Sequence, residues 1–118
     1  MTNKAAFLPG HHLILDMHGA RDLKDVAVLE ATLKAAAIAA GARVLSAEFH
    51  KFGEDGGVTG VVLLAESHIT IHTWPELNLA ALDIFMCGQA DVEKAFAVLE
   101  ERLRPHNIVR TIVKRGTR

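Results

Sequence analysis

Between residues 58 and 87 the chain runs through VTGVVLLA, SHITIHTW and LAALDIFMC, three apolar segments, the first two rich in β-branched residues, separated by short breaks. Such runs read as strands. Three in succession commit the middle of the chain to a sheet. HLILDM at 12–17 reads as a further strand, closed by His18-Gly19. ARVLSAEFHKF at 42–52 alternates as a strand does and runs into the turn GEDGG, and NIVRTIVKR at 107–115 makes a last strand.

Two segments carry a helical period instead. Residues 24–40 place Val26, Leu29, Leu33, Ala36 and Ala37 at core spacing. Asp22 or Asp25 can cap the start, and Gly41 follows the end. VEKAFAVLEERLR, capped by Asp91 and stopped near Pro105, is the second helix. The predicted order is β-α-β-β-β-β-α-β. It fits an α+β two-layer sandwich, a mostly antiparallel sheet with both helices on one face. The other face then needs cover, and a second copy of the chain supplies it most simply, giving an αββα homodimer. Residues 1–10 form a short lead-in ending in a Pro-Gly turn signal.

The 118 residues suffice for one domain with one core, and no repeat or linker divides them. A net charge of −1 gives no general pull toward nucleic acid or an anionic membrane. Cys87 is the one cysteine, so no intrachain disulfide can form. No signal segment opens the chain and no apolar run approaches the ~18–20 residues of a membrane span, so a cytoplasmic protein is expected.

Reactive side chains concentrate in AESHITIHTWPE, residues 65–76. His68 and His72 are four apart, the spacing of a helical zinc site. The surrounding Ile69, Thr70, Ile71 and Thr73 argue for a strand, on which residues four apart stand roughly 13 Å from each other. They cannot share one ion, and no metal is expected. Ser67 lies in Glu-Ser-His and not in a Gly-x-Ser-x-Gly elbow. Asp83, inside the apolar strand LDIF, is the odder residue, because a carboxylate there needs a partner.

GVTGVVLLAESHITIHTWPE, followed by LDIFMCG, resembles the small bacterial and archaeal S-adenosylmethionine decarboxylases. The similarity is densest over Gly57–Gly88 and weaker over the first strand and helix and AEFHKF. The resemblance implies a self-processing enzyme of polyamine (spermidine) synthesis whose pyruvoyl cofactor comes from its own serine, without pyridoxal phosphate or metal. It implies that the Ser67 hydroxyl attacks the Glu66 carbonyl and that the chain is cut into 1–66 and 67–118. His72 matches the processing base, and imidazole suits proton abstraction near neutral pH. Thr59 matches a hydroxyl that assists processing. Cys87 matches the proton donor that acts after the substrate amine forms a Schiff base and carbon dioxide leaves. Glu76 matches the acid that binds the ribose, and Phe52 a ring that stacks on adenine. His68 matches a family position without a distinct step.

Other positions depart from the family. There is no tyrosine, and Leu77-Asn78-Leu79 follows Trp74-Pro75-Glu76 where tyrosines are common. Met17-His18-Gly19 stands where the first strand often ends in an aromatic, GEDGG lacks the usual proline, and Met86 replaces a threonine before Cys87. The thinner aromatic platform keeps open a pyruvoyl-dependent arginine or ornithine decarboxylase. A regulatory relative that never cuts itself is the remaining alternative.

Overall fold

The computed structural model describes residues 10–116. Six strands and two helices follow the predicted order: β1 Gly10–His18, α1 Val26–Ala39, β2 Val44–Lys51, β3 Val58–Leu64, β4 Ser67–Trp74, β5 Leu79–Met86, α2 Val92–Leu103 and β6 Asn107–Arg115. The expected turn at Pro9-Gly10 falls largely outside the described residues, and Gly10 itself opens β1. All six strands form one sheet in the order β2-β3-β4-β5-β1-β6, and every neighbouring pair is antiparallel.

Alternation decides which side of each strand is covered. Leu13, Leu15 and Met17 of β1, Ile69 and Ile71 of β4, and Ala80, Leu82, Ile84 and Met86 of β5 point toward the helices and are buried. Leu29, Leu33, Ala36 and Ala37 of α1 and Val92, Ala95, Leu99 and Leu103 of α2 complete this core. Alanines along α1 let the helix lie close to the sheet.

The helix ends differ slightly from the predicted ones. Asp25, not Asp22, caps α1, accepting a hydrogen bond from the Val28 N–H at 3.1 Å. Asp22 instead takes a left-handed φ of 60° in the preceding turn. The helix therefore starts at Val26, the first residue of the apolar spacing and two residues after the expected start at 24. Asp91 caps α2 as expected. Arg104 is not helical; it closes α2 with a φ of 47° just ahead of Pro105.

The opposite face of the sheet carries Ile14, Val61, Leu63, Val109 and Val113 with no layer over them among the described residues. Ile14 lies on a strand flanked on both sides, yet is 43% exposed. Among the described residues no helix is long and apolar enough to cross a membrane.

Leu99 is completely buried between α2 and the sheet. Leu99→Ala is expected to destabilise the fold by about 2–5 kcal/mol through lost burial and a residual cavity. Glu101→Ala on the exposed side of the same helix should stay within about 0.5 kcal/mol. Urea denaturation of both variants checks the contrast.

Candidate active site

The sequence-selected residues fall into two groups at opposite ends of the sheet. The first is at the tip of the β3–β4 hairpin. Leu64 pairs with Ser67, so Ala65 and Glu66 alone make the turn. A turn this tight puts Glu66 in the left-handed region, with φ 62°. A side chain with a Cβ is strained there by roughly 1–2 kcal/mol. The Glu66–Ser67 peptide bond therefore leaves a strained residue.

Cys87, just past β5, faces this bond. Its thiol donates to the carbonyl oxygen of Glu66 at 3.1 Å. Its backbone N–H donates to Ser67 Oγ at 3.3 Å. One residue thus holds both atoms that a serine attack on the preceding carbonyl would involve. Ser67 is buried beside the Glu66 turn, which fixes where its hydroxyl lies.

A polar network adjoins this group on the open face. Asp83 accepts from Thr70 through Oδ1, and from His12 Nε2 at 2.6 Å and His68 Nε2 at 3.2 Å through Oδ2. Arg115 Nη1 donates to His12 Nδ1 at 3.1 Å. A ring nitrogen that accepts carries no proton, so the His12 proton sits on Nε2, facing Asp83. Partial burial works to raise the Asp83 carboxyl, but hydrogen bonds from Thr70, His12 and His68 outweigh it and hold the group below its ordinary value. The partners that an acid in LDIF requires are thus present. A cavity of about 540 Å³ lies here, lined by His12, Glu66, Ser67, His68, Phe85 and Arg115 together with Gly116.

His12, His68 and Asp83 offer ligand atoms within 4.8 Å of one another and are the one group among the described residues able to hold a metal. A metal on His12 Nε2 would move the ring proton to Nδ1, where the Arg115 donor already lies. The present hydrogen bonds favour the ion-free network. His72, the other half of the rejected zinc pair, is not in this group.

The second group lies at the other end of β4. Thr59 Oγ1 and His72 Nδ1 are 3.3 Å apart. His72 stacks on Trp74, with ring centroids 6.2 Å apart. Pro75–Leu77 form a single 3-10 turn that ends in a left-handed Asn78, holding Glu76 just beyond the strand. Gly57 is needed here, since a Cβ on it would lie 2.0 Å from the Thr73 carbonyl oxygen. Phe52, Thr59, His72, Trp74 and Glu76 share a cavity of about 340 Å³. A larger hollow of about 820 Å³ beside the β1–α1 loop contains none of the sequence-selected residues.

The two groups do not meet within one chain. Ser67 and His72 are five positions apart on a continuous strand, about 16 Å at ~3.3 Å per residue. Ser67 also points to the buried side and His72 to the open side. His12 and Arg115 were not singled out by the sequence. Their signal is visible only in the register that sets His12 opposite Phe85 and Arg115 opposite Gly10.

The lowered acidity range of Asp83 has a testable consequence. A depressed folded-state value contributes stability above the ordinary carboxylate value, which is lost as pH falls through the folded one. Asp83→Asn should therefore be less stable than wild type at neutral pH and lose less on acidification below about pH 4. Thermal melts between pH 2 and 7 measure this.

Comparison with known proteins agrees with the fold. Residues 11–116 match the family model for S-adenosylmethionine decarboxylase. The S-adenosylmethionine decarboxylase proenzyme of Caldanaerobacter subterraneus subsp. tengcongensis is 44% identical over 110 residues, covering 91% of this chain and 88% of that protein. That of Clostridium tetani is 42% identical over 110 residues, covering 91% and 86%. The crystal structure of the adenosylmethionine decarboxylase from Aquifex aeolicus superposes with a TM-score of 0.84 at 33% identity, covering 95% of this chain and 93% of the other. With the hairpin-tip Glu66-Ser67, the facing Cys87 and this likeness over nearly its whole length, the chain belongs to the S-adenosylmethionine decarboxylase family.

Proposed function

We propose that the chain is a proenzyme that cuts itself between Glu66 and Ser67, forms a pyruvoyl group from Ser67, and decarboxylates S-adenosylmethionine. The product would supply aminopropyl groups for polyamine synthesis. The observation that carries the reading is the pair of Cys87 contacts, thiol to the Glu66 carbonyl oxygen and N–H to Ser67 Oγ.

The first step is attack of Ser67 Oγ on the Glu66 carbonyl carbon, which moves negative charge onto the carbonyl oxygen. The Cys87 thiol is already aimed at that oxygen, so stabilisation needs no rearrangement. The backbone N–H of Cys87 holds the attacking oxygen in place. Strain at Glu66 is lost when the bond after it breaks, which favours cutting. Collapse of this adduct breaks the Glu66–Ser67 C–N bond and leaves Glu66 as an ester on Ser67 Oγ. Removal of the Ser67 α-proton then expels Glu66 as a carboxylate, and the dehydroalanine left behind adds water and loses ammonia to become the pyruvoyl group. The pyruvoyl group then supplies the electron-withdrawing carbonyl that decarboxylation requires. Cys87, at the same place, is the donor that returns a proton to the α-carbon.

His72 is the base in this reading, and it is out of reach of Ser67 in its own chain. A homodimer resolves the distance. The open face exposes Ile14, Leu63, Val109 and Val113, apolar surface that a second sheet would cover. A twofold axis lying between two such sheets and crossing the strands reverses the strand ends. It carries the Thr59–His72 end of one copy over the Ser67 end of the other. Thr59 then orients His72 through Nδ1. Glu76 and Phe52 belong to the same end, so the partner also contributes the ribose-binding acid and the adenine-stacking ring.

Denatured intact mass is expected to show two species, residues 1–66 and 67–118, the second blocked by a pyruvoyl group. Ser67→Ala should remain one chain. His72→Ala alone should cut at least 100-fold more slowly by analogy with loss of a general base, roughly 10²–10⁴-fold. Co-expressing Ser67→Ala with His72→Ala tests the shared site. The mixed dimer has one site with both Ser67 and His72, so the His72→Ala chain alone should be cut. If neither chain is cut in the mixture, the base acts within its own chain and the shared arrangement is wrong.

A further inference from the structure

We propose that Arg115 is the residue that receives the substrate's α-carboxylate beside Ser67. The inference rests on the decarboxylase reading above and adds a binding role that neither the motif nor the family likeness assigns to this residue.

The placement follows from register. Arg115 pairs with Gly10, and one step beyond the β1–β5 ladder Gly10 falls opposite Cys87. Arg115 is thus two strands from Cys87, about 10 Å between backbones. Gly10 puts no side chain of its own into that interval. A Cβ on it would lie 2.6 Å from the Phe85 ring. Phe85 fills the space, and the Arg115 guanidinium sits 6.0 Å from its ring centroid. Arg115 and Ser67 line the same cavity.

The guanidinium is oriented yet uncommitted. Its Nη1 donates to His12, whose other nitrogen is tied to Asp83, so the imidazole is fixed from both sides. That bond employs one of five N–H donors. Arg110 on the same strand is paired with Glu93. Among the described residues no carboxylate forms an ion pair with Arg115. Glu66 lines the cavity but does not pair with it. A held cation with free donors, facing a cavity with a reacting centre, is arranged for an incoming planar anion.

The substrate class supplies that anion. S-adenosylmethionine carries an α-amine, an α-carboxylate and a sulfonium cation. Arginine and ornithine likewise carry an α-carboxylate and a distal cation. A fixed cation at the Ser67 end attracts the carboxylate and repels the distal charge, so the amino-acid end enters first. Because the carboxylate is still in place as its bond to the α-carbon begins to break, the contact is held about equally in the bound substrate and the transition state. Its loss should raise KM with little change in kcat.

The test compares wild type, Arg115→Gln and Arg115→Lys, each checked for cutting by intact mass. KM and kcat are measured with S-adenosylmethionine, and Ki with its decarboxylated product, which keeps the amine and sulfonium but lacks the carboxylate. Arg115→Gln should raise KM about 10–100-fold, the loss of a charge-assisted contact, while kcat and the product Ki change less than about 3-fold. Arg115→Lys should recover part of the KM. An equal rise in KM and product Ki would overturn the proposal, because a structural role, or a role in holding the new Glu66 carboxylate, weakens both ligands alike. An Arg115→Gln chain that fails to cut while Arg115→Lys cuts and binds normally would also overturn it, placing Arg115 in processing. A cut wild type that turns over arginine or ornithine faster would overturn the substrate assignment alone. The same comparison then runs with those amino acids and their amines. A wild type that never cuts would end both readings.

Discussion

The pairing register of β4 with β5 is the constraint on which the Ser67 end depends. His68 opposite Phe85 sets Thr70 opposite Asp83 and brings Cys87 level with Glu66. A slip of one residue would turn Asp83 into the helix-covered core and carry the Cys87 thiol away from the Glu66 carbonyl. The buried alternation of β5 prevents that slip, because it would expose Ala80, Leu82, Ile84 and Met86 at once. Core packing and site geometry are therefore one requirement. The Thr70–Asp83 contact adds a polar pin to the same register.

The fold was legible in the sequence because its two periods are clean. β-branched runs and alanine-rich helical spacing separate without conflict, and the expected strand and helix order matches the observed one. Misplaced boundaries lie where a turn competes with a period, as at Asp22 and Arg104, both of which adopt left-handed backbone. The site was legible in part. The linear motif holds Ser67, His72 and Glu76, and an acid in LDIF announced a need for partners. What the linear sequence could not carry is cross-strand neighbourhood. His12 reaches Asp83 across 71 positions, and Arg115 reaches His12 across 103. Nor does a motif state that its own members lie at opposite ends of a strand. ESHITIHTWPE reads as one site, whereas alternation and a rise of ~3.3 Å per residue distribute it between two.

That distribution explains the character of the open face. In the proposed dimer, a site shared between two copies would need polar groups within the surface that joins them. Here Asp83, His12 and His68 stand on the same side as Ile14, Leu63 and Val113. Because each of these polar groups already makes a hydrogen bond inside its own chain, a second sheet laid over them would bury partnered groups and not bare ones.

The strand order has a consequence for a chain cut between Glu66 and Ser67. The first piece would hold β1, α1, β2 and β3, and the second β4, β5, α2 and β6. In the sheet, β1 is wedged between β5 and β6, while β3 lies against β4. The two pieces are interleaved like the fingers of clasped hands. Scission at the hairpin tip removes one covalent bond and no rung of the ladder. Pulling the pieces apart would require stripping β1 from both neighbours and emptying the core around Leu13 and Leu15. Such a protein can afford to break its own backbone, since topology keeps its parts together.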